Sequence, residues 1–207
     1  MLFHLLNVIT AYKPNQFSKK IKKETKEKHD KIERHTLFRD MISGELHDFK
    51  YAVYLTNLMP IYNGVEMFLF KNNNNNDIVQ TKKIDRDLEN YKRLLNFNFN
   101  DSSLMFYNSW LTYFFSKDDF YKKTELYTRW LADMYGGQII KRNIKFNSKY
   151  EFTNLRENIK FIRKLIEQDL DSSNVDKFIE EVNKTYDFHK DLADKIEEIN
   201  VKNYITP

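Results

Sequence analysis

The chain contains no cysteine. A disulfide framework, a thiolate-ligated metal and a cysteine nucleophile are thereby excluded. Glycine and proline are scarce, at 4 and 3 in 207 residues. All-β folds consume both in turns, and most α/β nucleotide folds need glycine-rich loops, so neither class fits. No apolar run reaches the roughly 18 residues of a membrane span. The start, Met1-Leu2-Phe3-His4-Leu5-Leu6-Asn7-Val8-Ile9-Thr10, lacks the basic segment of a secretory signal. A soluble cytoplasmic protein is expected, with an organelle as the alternative compartment. A strong charge of one sign is also missing. Lys and Arg total 34 against 30 Asp and Glu, a net +4 spread along the chain rather than gathered in a nucleic-acid-binding arm.

What is present points to helix. The chain is 31% charged and 15% aromatic. Apolar residues recur at three- and four-residue steps, and Phe17, Ile21, Thr25, His29 and Ile32 make a thin stripe on a helix that starts after Pro14-Asn15 and runs to about His35. A second helix, about Asp48 to Phe70, is apolar on most sides and so central, with Pro60 expected to kink it. Asn72 to Asn76 read as a surface loop. Further helices are expected over about Ile78–Leu95, Leu104–Ser116, Asp118–Phe146, Asn154–Asp169 and Asn174–Asn200, the last started by Ser172-Ser173-Asn174. The expectation is one all-α domain over residues 16–200, with an N-terminal extension, 1–15, and a C-terminal tail, 201–207.

Two features carry chemical promise. Of the histidines His4, His29, His35, His47 and His189, His29 sits on the inward stripe of a regular amphipathic helix, bordered by Lys22 and Lys26. An inward imidazole suits a metal or haem iron, and nearby lysines suit anionic groups; a core histidine bonded to a carbonyl is the plainer reading. The second feature is Gly136-Gly137, half of the chain's glycines, within an otherwise helical stretch. Two mid-helix glycines cost roughly 2 kcal/mol against alanine. They suit close approach of something large and flat, or a tight helix crossing. Asp133 lies three and four residues earlier, on the same face, where a carboxylate can organise water or proton delivery. Glu-x-x-His, His-Glu-x-x-His, Walker A and Gly-x-Ser-x-Gly do not occur. The runs Lys19-Lys20-Ile21-Lys22-Lys23 and Lys82-Lys83 read as solvated helix faces, and no nucleic-acid partner is expected.

Glu24-Thr25-Lys26-Glu27-Lys28-His29 resembles the first helix of the heme oxygenase family, where a Thr-Lys-Glu-x-His run supplies the proximal iron ligand. Tyr127-Thr128-Arg129-Trp130-Leu131-Ala132-Asp133-Met134-Tyr135-Gly136-Gly137-Gln138 resembles the family's distal signature, Tyr-Thr-Arg-Tyr-Leu-Gly-Asp-Leu-Ser-Gly-Gly-Gln. Tyr62 and Glu66 match polar positions between the two, and Ile179-Glu180-Glu181 aligns loosely, so the similarity runs from about Lys19 to Ile199.

The resemblance implies haem, as both cofactor and substrate, clamped between the first helix and a kinked distal helix. His29 would hold the iron, and Lys22 would face a haem propionate. Tyr127, Thr128, Gly136 and Gly137 would line the porphyrin. Asp133, with Arg129 and Tyr62 in the same polar network, would support oxygenation of the ring through bound water. Biliverdin, carbon monoxide and iron would be the products, with O2 consumed and electrons drawn from an NADPH-linked reductase or a ferredoxin. A monomer is implied. No apolar stretch follows Thr206-Pro207, so no membrane anchor is expected.

Departures from the family pattern are Ala132 for its first distal glycine, Tyr135 for its serine, and Ile162 and Ile166 where basic propionate anchors align, with Lys160, Arg163 and Lys164 nearby. They leave a second reading open, a catalytically lost relative serving as a haem-binding or protein-interaction module.

Overall fold

The structure, a computed structural model, describes residues 16–72, 76–99, 102–106 and 108–205. The expected N-terminal extension with His4, the middle of the asparagine run (73–75) and Thr206-Pro207 lie outside the described residues. Every regular element among the described residues is helical.

Helices α1 (Gln16–Glu24) and α2 (Lys26–Glu33) replace the single first helix expected from the periodicity. The interruption is Thr25, whose hydroxyl donates to the Ile21 carbonyl at 2.8 Å, a side-chain bond that competes with the helical ladder. Backbone bonds from Thr25 N to Ile21 O and from His29 N to Thr25 O still carry the path across it. Helix α3 (Thr36–Ser43) is capped by His35, whose Nδ1 accepts from Leu37 N.

Helix α4 (Asp48–Asn72) is the central element. Phe49, Tyr51, Ala52, Val53, Leu55, Leu58, Ile61, Tyr62 and Val65 are fully buried, which is why the sequence is apolar all round. It runs unbroken through Pro60. Asn57, also fully buried, sits in this apolar helix for a reason. Its amide nitrogen donates to Val53 O and Leu104 O, at 2.9 and 2.8 Å, and its oxygen accepts from Phe106 N at 2.8 Å. One side chain thus ties the 102–106 segment to the core.

Helix α5 (Thr81–Leu95) packs along α4, and α6 (Asn108–Ser116) follows. The span expected as one helix from Asp118 to Phe146 is broken into four pieces. These are α7 (Asp119–Glu125), a wide π turn (Leu126–Trp130), α8 (Leu131–Tyr135) and α9 (Gly137–Ile140), after which the chain turns. Asp118 caps the first, accepting from Phe120 N and Tyr121 N. Helices α10 (Leu155–Glu167) and α11 (Val175–Glu197) complete the fold. Helix α11 starts directly after Ser172-Ser173-Asn174, with Asn174 at the cap position but without a side-chain cap bond; Asp171 accepts from Ser173 N and Asn174 N just ahead of it. Beyond α11, Tyr204 stacks on Phe49 with ring centres 5.3 Å apart. Among the described residues no helix is long and apolar enough to cross a membrane.

With no glycine-rich turns to use, the chain fixes its connections with carboxylates. Glu66 on α4 accepts from Gln80 N and Thr81 N at the start of α5. Asp77 accepts from Thr153 N and Asn154 N, at 3.0 and 2.9 Å, ahead of α10. Asp87 on α5, fully buried, accepts from Ser148 N and Lys149 N, both at 3.0 Å, and so holds the short 3-10 turn Ser148–Tyr150.

Replacing Asn57 by Ala removes its bonds to two buried carbonyls and to the half-buried Phe106 amide. A loss of about 2–4 kcal/mol is expected from urea unfolding, with the slope of the transition unchanged.

Candidate functional site

The distal segment presents two faces. Asp133 and Gly137, four residues apart, turn inward; Ala132 and Gly136 turn outward. The paired glycines therefore do different jobs, and only Gly137 shares the face of Asp133, not both as the spacing suggests. A Cβ on Gly137 would overlap the Tyr150 ring. A Cβ on Gly136 would meet only the Ala132 carbonyl oxygen, at 3.3 Å, in otherwise open space. Exposed Ala132 and half-exposed Gly136 thus leave a stretch of uncovered helix surface.

Behind that open face Asp133 is buried, and both of its oxygens are engaged. The Tyr62 hydroxyl donates to Oδ2, and the Lys149 ammonium forms an ion pair at Oδ1. Burial, reinforced by the Asp133 charge, holds the Tyr62 phenol well above its ordinary range, so it remains a donor. Lys149 is fully buried, its nitrogen 5.0 Å from the Tyr62 ring centre and 4.5 Å from that of Tyr150. Burial lowers its pKa to about 8, against the upward pull of Asp133. Trp130 packs on Tyr62 at 4.4 Å between ring centres and donates to Ile78 O, which fixes this end of the segment.

Arg129 lies on the buried side without bonding Asp133. Its Nε donates to His189 Nε2 at 2.8 Å and its Nη1 to the Tyr54 hydroxyl at 2.6 Å. Glu125 Oε2 approaches the same His189 nitrogen at 3.1 Å. Burial raises Glu125 to about 7, opposed by Arg129, and drives His189 well below its ordinary value, with Arg129 and Lys149 adding to that push. His189 is therefore neutral, and it is the fully inward histidine of this fold, a position the sequence reading gave to His29.

His29 is half-exposed, with 46% of its side chain accessible. The inward stripe is buried at Ile21 and Thr25 and opens at His29. The ring meets Tyr186 edge-on at 5.9 Å, and its Nδ1 lies 3.8 Å from carboxylate oxygens of Asp30 and Glu33. With Nδ1 toward carboxylates, Nε2 is the ring nitrogen left open to a ligand role.

Between α1, the distal segment and α10 lies a cleft of about 140 Å³, lined by Ser18, Ile21, Lys22, Tyr127, Leu131 and Arg163 among others. Lys22 and Tyr127 thus come together as expected. Thr128 does not join them: it is buried, and its hydroxyl donates to Thr124 O in its own helix. Ser18 donates to Glu167 across the cleft mouth. Arg163 donates to the Tyr135 hydroxyl at 3.1 Å, so the bulky residue standing in place of serine braces a guanidinium at the cleft edge. Ile162 and Ile166 are buried in the core. His29 is not part of the cleft lining.

The fit to haem is mixed but chemically coherent. A neutral-capable imidazole, an open backbone face and two cations at a cleft edge suit an iron porphyrin with carboxylate tails. The cleft, at about 140 Å³, falls below the roughly 300–1,000 Å³ of small-molecule sites.

Sequence reading missed Lys149, Tyr54, Glu125 and His189. For His189 a signal existed, since Val182, Tyr186, His189, Ala193 and Ile196 follow helical steps on α11. Lys149 lies in a short irregular segment without periodicity.

The model of the heme oxygenase family matches residues 15–102. No curated protein matches at a significant level. Among solved structures, heme oxygenase-1 from the cyanobacterium Synechocystis, in complex with heme, is similar with a TM-score of 0.74 at 17% identity, covering 91% of this chain and 96% of that one. Heme oxygenase-2 from Synechocystis, in complex with heme and NO, gives 0.73 at 19%, covering 91% and 88%. The heme oxygenase from Leptospira interrogans gives 0.73 at 19%, covering 87% and 100%. The all-helical fold is that of these proteins.

The two glycines separate by substitution. Gly137→Ala is expected to lose about 1–3 kcal/mol by forcing Tyr150 aside, while Gly136→Ala stays within about 1 kcal/mol of the parent. Thermal melts of the two variants check this.

Proposed function

We propose, from the match of residues 15–102 to the heme oxygenase family model and the shared fold, that this chain binds haem between the α1–α2 run and the distal segment and opens the ring to biliverdin, carbon monoxide and iron. O2 is the oxidant, and electrons come from an NADPH-linked reductase or a ferredoxin. The observation that carries the reading is the two-faced distal segment, with open backbone at Ala132 and Gly136 and, directly behind it, a buried carboxylate clasped by Tyr62. An exposed helix face beside a buried, hydrogen-bonded acid is costly for stability alone and useful where a flat substrate must lie close to a proton-handling group.

Haem would supply both the oxygen chemistry and the carbon skeleton that is cut. The remaining roles fall to the protein. His29 Nε2 would hold the iron, with Asp30 and Glu33 on the Nδ1 side of the ring and the Tyr186 edge against it. Lys22 and Arg163 take the carboxylate tails, in place of anchors that Ile162 and Ile166 cannot provide. Asp133 orders water at the distal face and passes protons through it, while Tyr62 keeps its Oδ2 directed. Arg129, fixed by His189 and Tyr54, holds a positive charge behind the carboxylate without neutralising it by direct contact.

One observation favours a second reading, haem binding without ring opening. Both Asp133 oxygens already have protein partners, and Ala132 puts a methyl group on the open face. A single-turnover assay decides between them. Ferric haem is reconstituted with the protein, reduced in air with ascorbate in the presence of catalase, and followed in the visible spectrum. Loss of the Soret band with growth of the biliverdin absorption establishes ring opening. A stable haem complex without verdin establishes the second reading.

Two variants test the assigned roles. His29→Ala is expected to shift the Soret band and weaken haem binding by about tenfold or more; an unchanged spectrum and unchanged turnover remove His29 as ligand. Asp133→Asn is expected to bind haem as the parent does while verdin formation falls by about 10²-fold, in line with loss of a proton-handling group. Unimpaired verdin yield in that variant removes Asp133 from the mechanism.

A further inference from the structure

Lys149 is the side chain that neither fold nor family likeness accounts for. It is fully buried, in a short turn outside both sequence motifs. Burying an ammonium is expensive, and an apolar side chain of similar length would fill the same space at lower cost. The fold nonetheless positions it carefully. Asp87 on α5 grips the backbone amides of Ser148 and Lys149, which sets the turn. The Tyr62 and Tyr150 rings flank the ammonium at 5.0 and 4.5 Å and leave it one anionic partner in reach, Asp133 Oδ1. Tyr150 is itself seated against Gly137, so the same turn meets the distal segment at two points.

We propose that Lys149 is a positioning residue for Asp133, so that the distal carboxylate of this chain works as one half of a buried ion pair. Asp133 has two oxygens and two fixed partners, a phenol on Oδ2 and an ammonium on Oδ1, and the pair of contacts holds its plane and keeps its charge beside the open helix face. The role in turnover rests on the function proposed above; the ion pair itself does not.

The groups facing Lys149 are Asp133 and Arg129 from the distal segment, Tyr62 from α4, Asp87 from α5, His189 from α11 and Tyr150 on its own turn. Its proton is lost near pH 8, where burial has brought it. The carboxylate then loses its counter-charge, and turnover should fall as pH rises through that value. A purely structural lysine would leave no such limb.

The test has two parts. In the haem-free protein, NMR of lysine side chains labelled with ¹⁵N and ¹³C follows Lys149 against pH. Its titration near pH 8 is expected to move down by about one pH unit or more in Asp133→Asn, because the carboxylate is what sustains the charge; an unmoved titration overturns the pair. In the haem-loaded protein, Lys149→Met is expected to keep the Soret band, lose about tenfold or more in verdin rate at neutral pH, and lack the alkaline limb of the parent. A rate within about twofold of the parent, with the same limb, overturns the positioning role. Should Lys149→Met not fold, the titration in Asp133→Asn and the alkaline limb of the parent decide the matter, and absence of either overturns the proposal. Should the parent form no verdin at any pH, the proposed function fails, and the titration alone decides whether the pair exists.

Discussion

Asp87 accepts two consecutive backbone amides, and the placement of everything opposite the distal segment follows from that grip. The turn it holds delivers Tyr150 to Gly137 and Lys149 to Asp133. Glu66 and Asp77 act in the same way at the starts of α5 and α10. A chain with four glycines and three prolines cannot rely on backbone-specified turns, so carboxylates reaching back to amides take over that work. The cost is that several acids lie in the interior, where their ionisation is tied to the bonds they accept.

The distal segment has two unlike sides. Its open side is defined by what is missing, a side chain at Gly136 and anything large at Ala132. Its closed side is crowded with polar groups in two separate sets. Tyr62, Asp133 and Lys149 form one; Tyr54, Arg129, His189 and Glu125 form the other. Arg129 approaches both but bonds only the second. The first set lies behind the open backbone, which is why chemistry is assigned there. The second behaves as an internal brace joining the distal segment to α4 and α11.

Much of this was legible in the residues. The shortage of glycine and proline with helical periodicity pointed to an all-α fold, and the apolar sides of Asp48 to Phe70 identified the central helix. His29, Asp133 and Tyr62 stood out through motif likeness. The limits have physical causes. Periodicity does not register a break made by one hydroxyl, so Thr25 passed as part of a helix. It does not separate an inward position from a half-open one, so His29 was read as more enclosed than it is. Spacing put Asp133 with both glycines, whereas a helical face holds residues four apart more closely than three, and Asp133 pairs with Gly137. Lys149 was invisible because its environment is made by the distal segment, α4 and α5, with only Tyr150 supplied by its own turn.

The wide turn at Leu126–Trp130 stores one extra residue of winding just before Asp133. If that turn closed to ordinary helical geometry with the same number of residues, everything after it would swing by about 100°. Asp133 would leave Lys149 and Tyr62, and Gly137 would leave Tyr150. The inward and outward sides of the distal segment are thus set upstream, by how five residues share their carbonyls, and a single insertion or deletion within them would turn both sides by about 100° while every residue from Leu131 onward stayed the same.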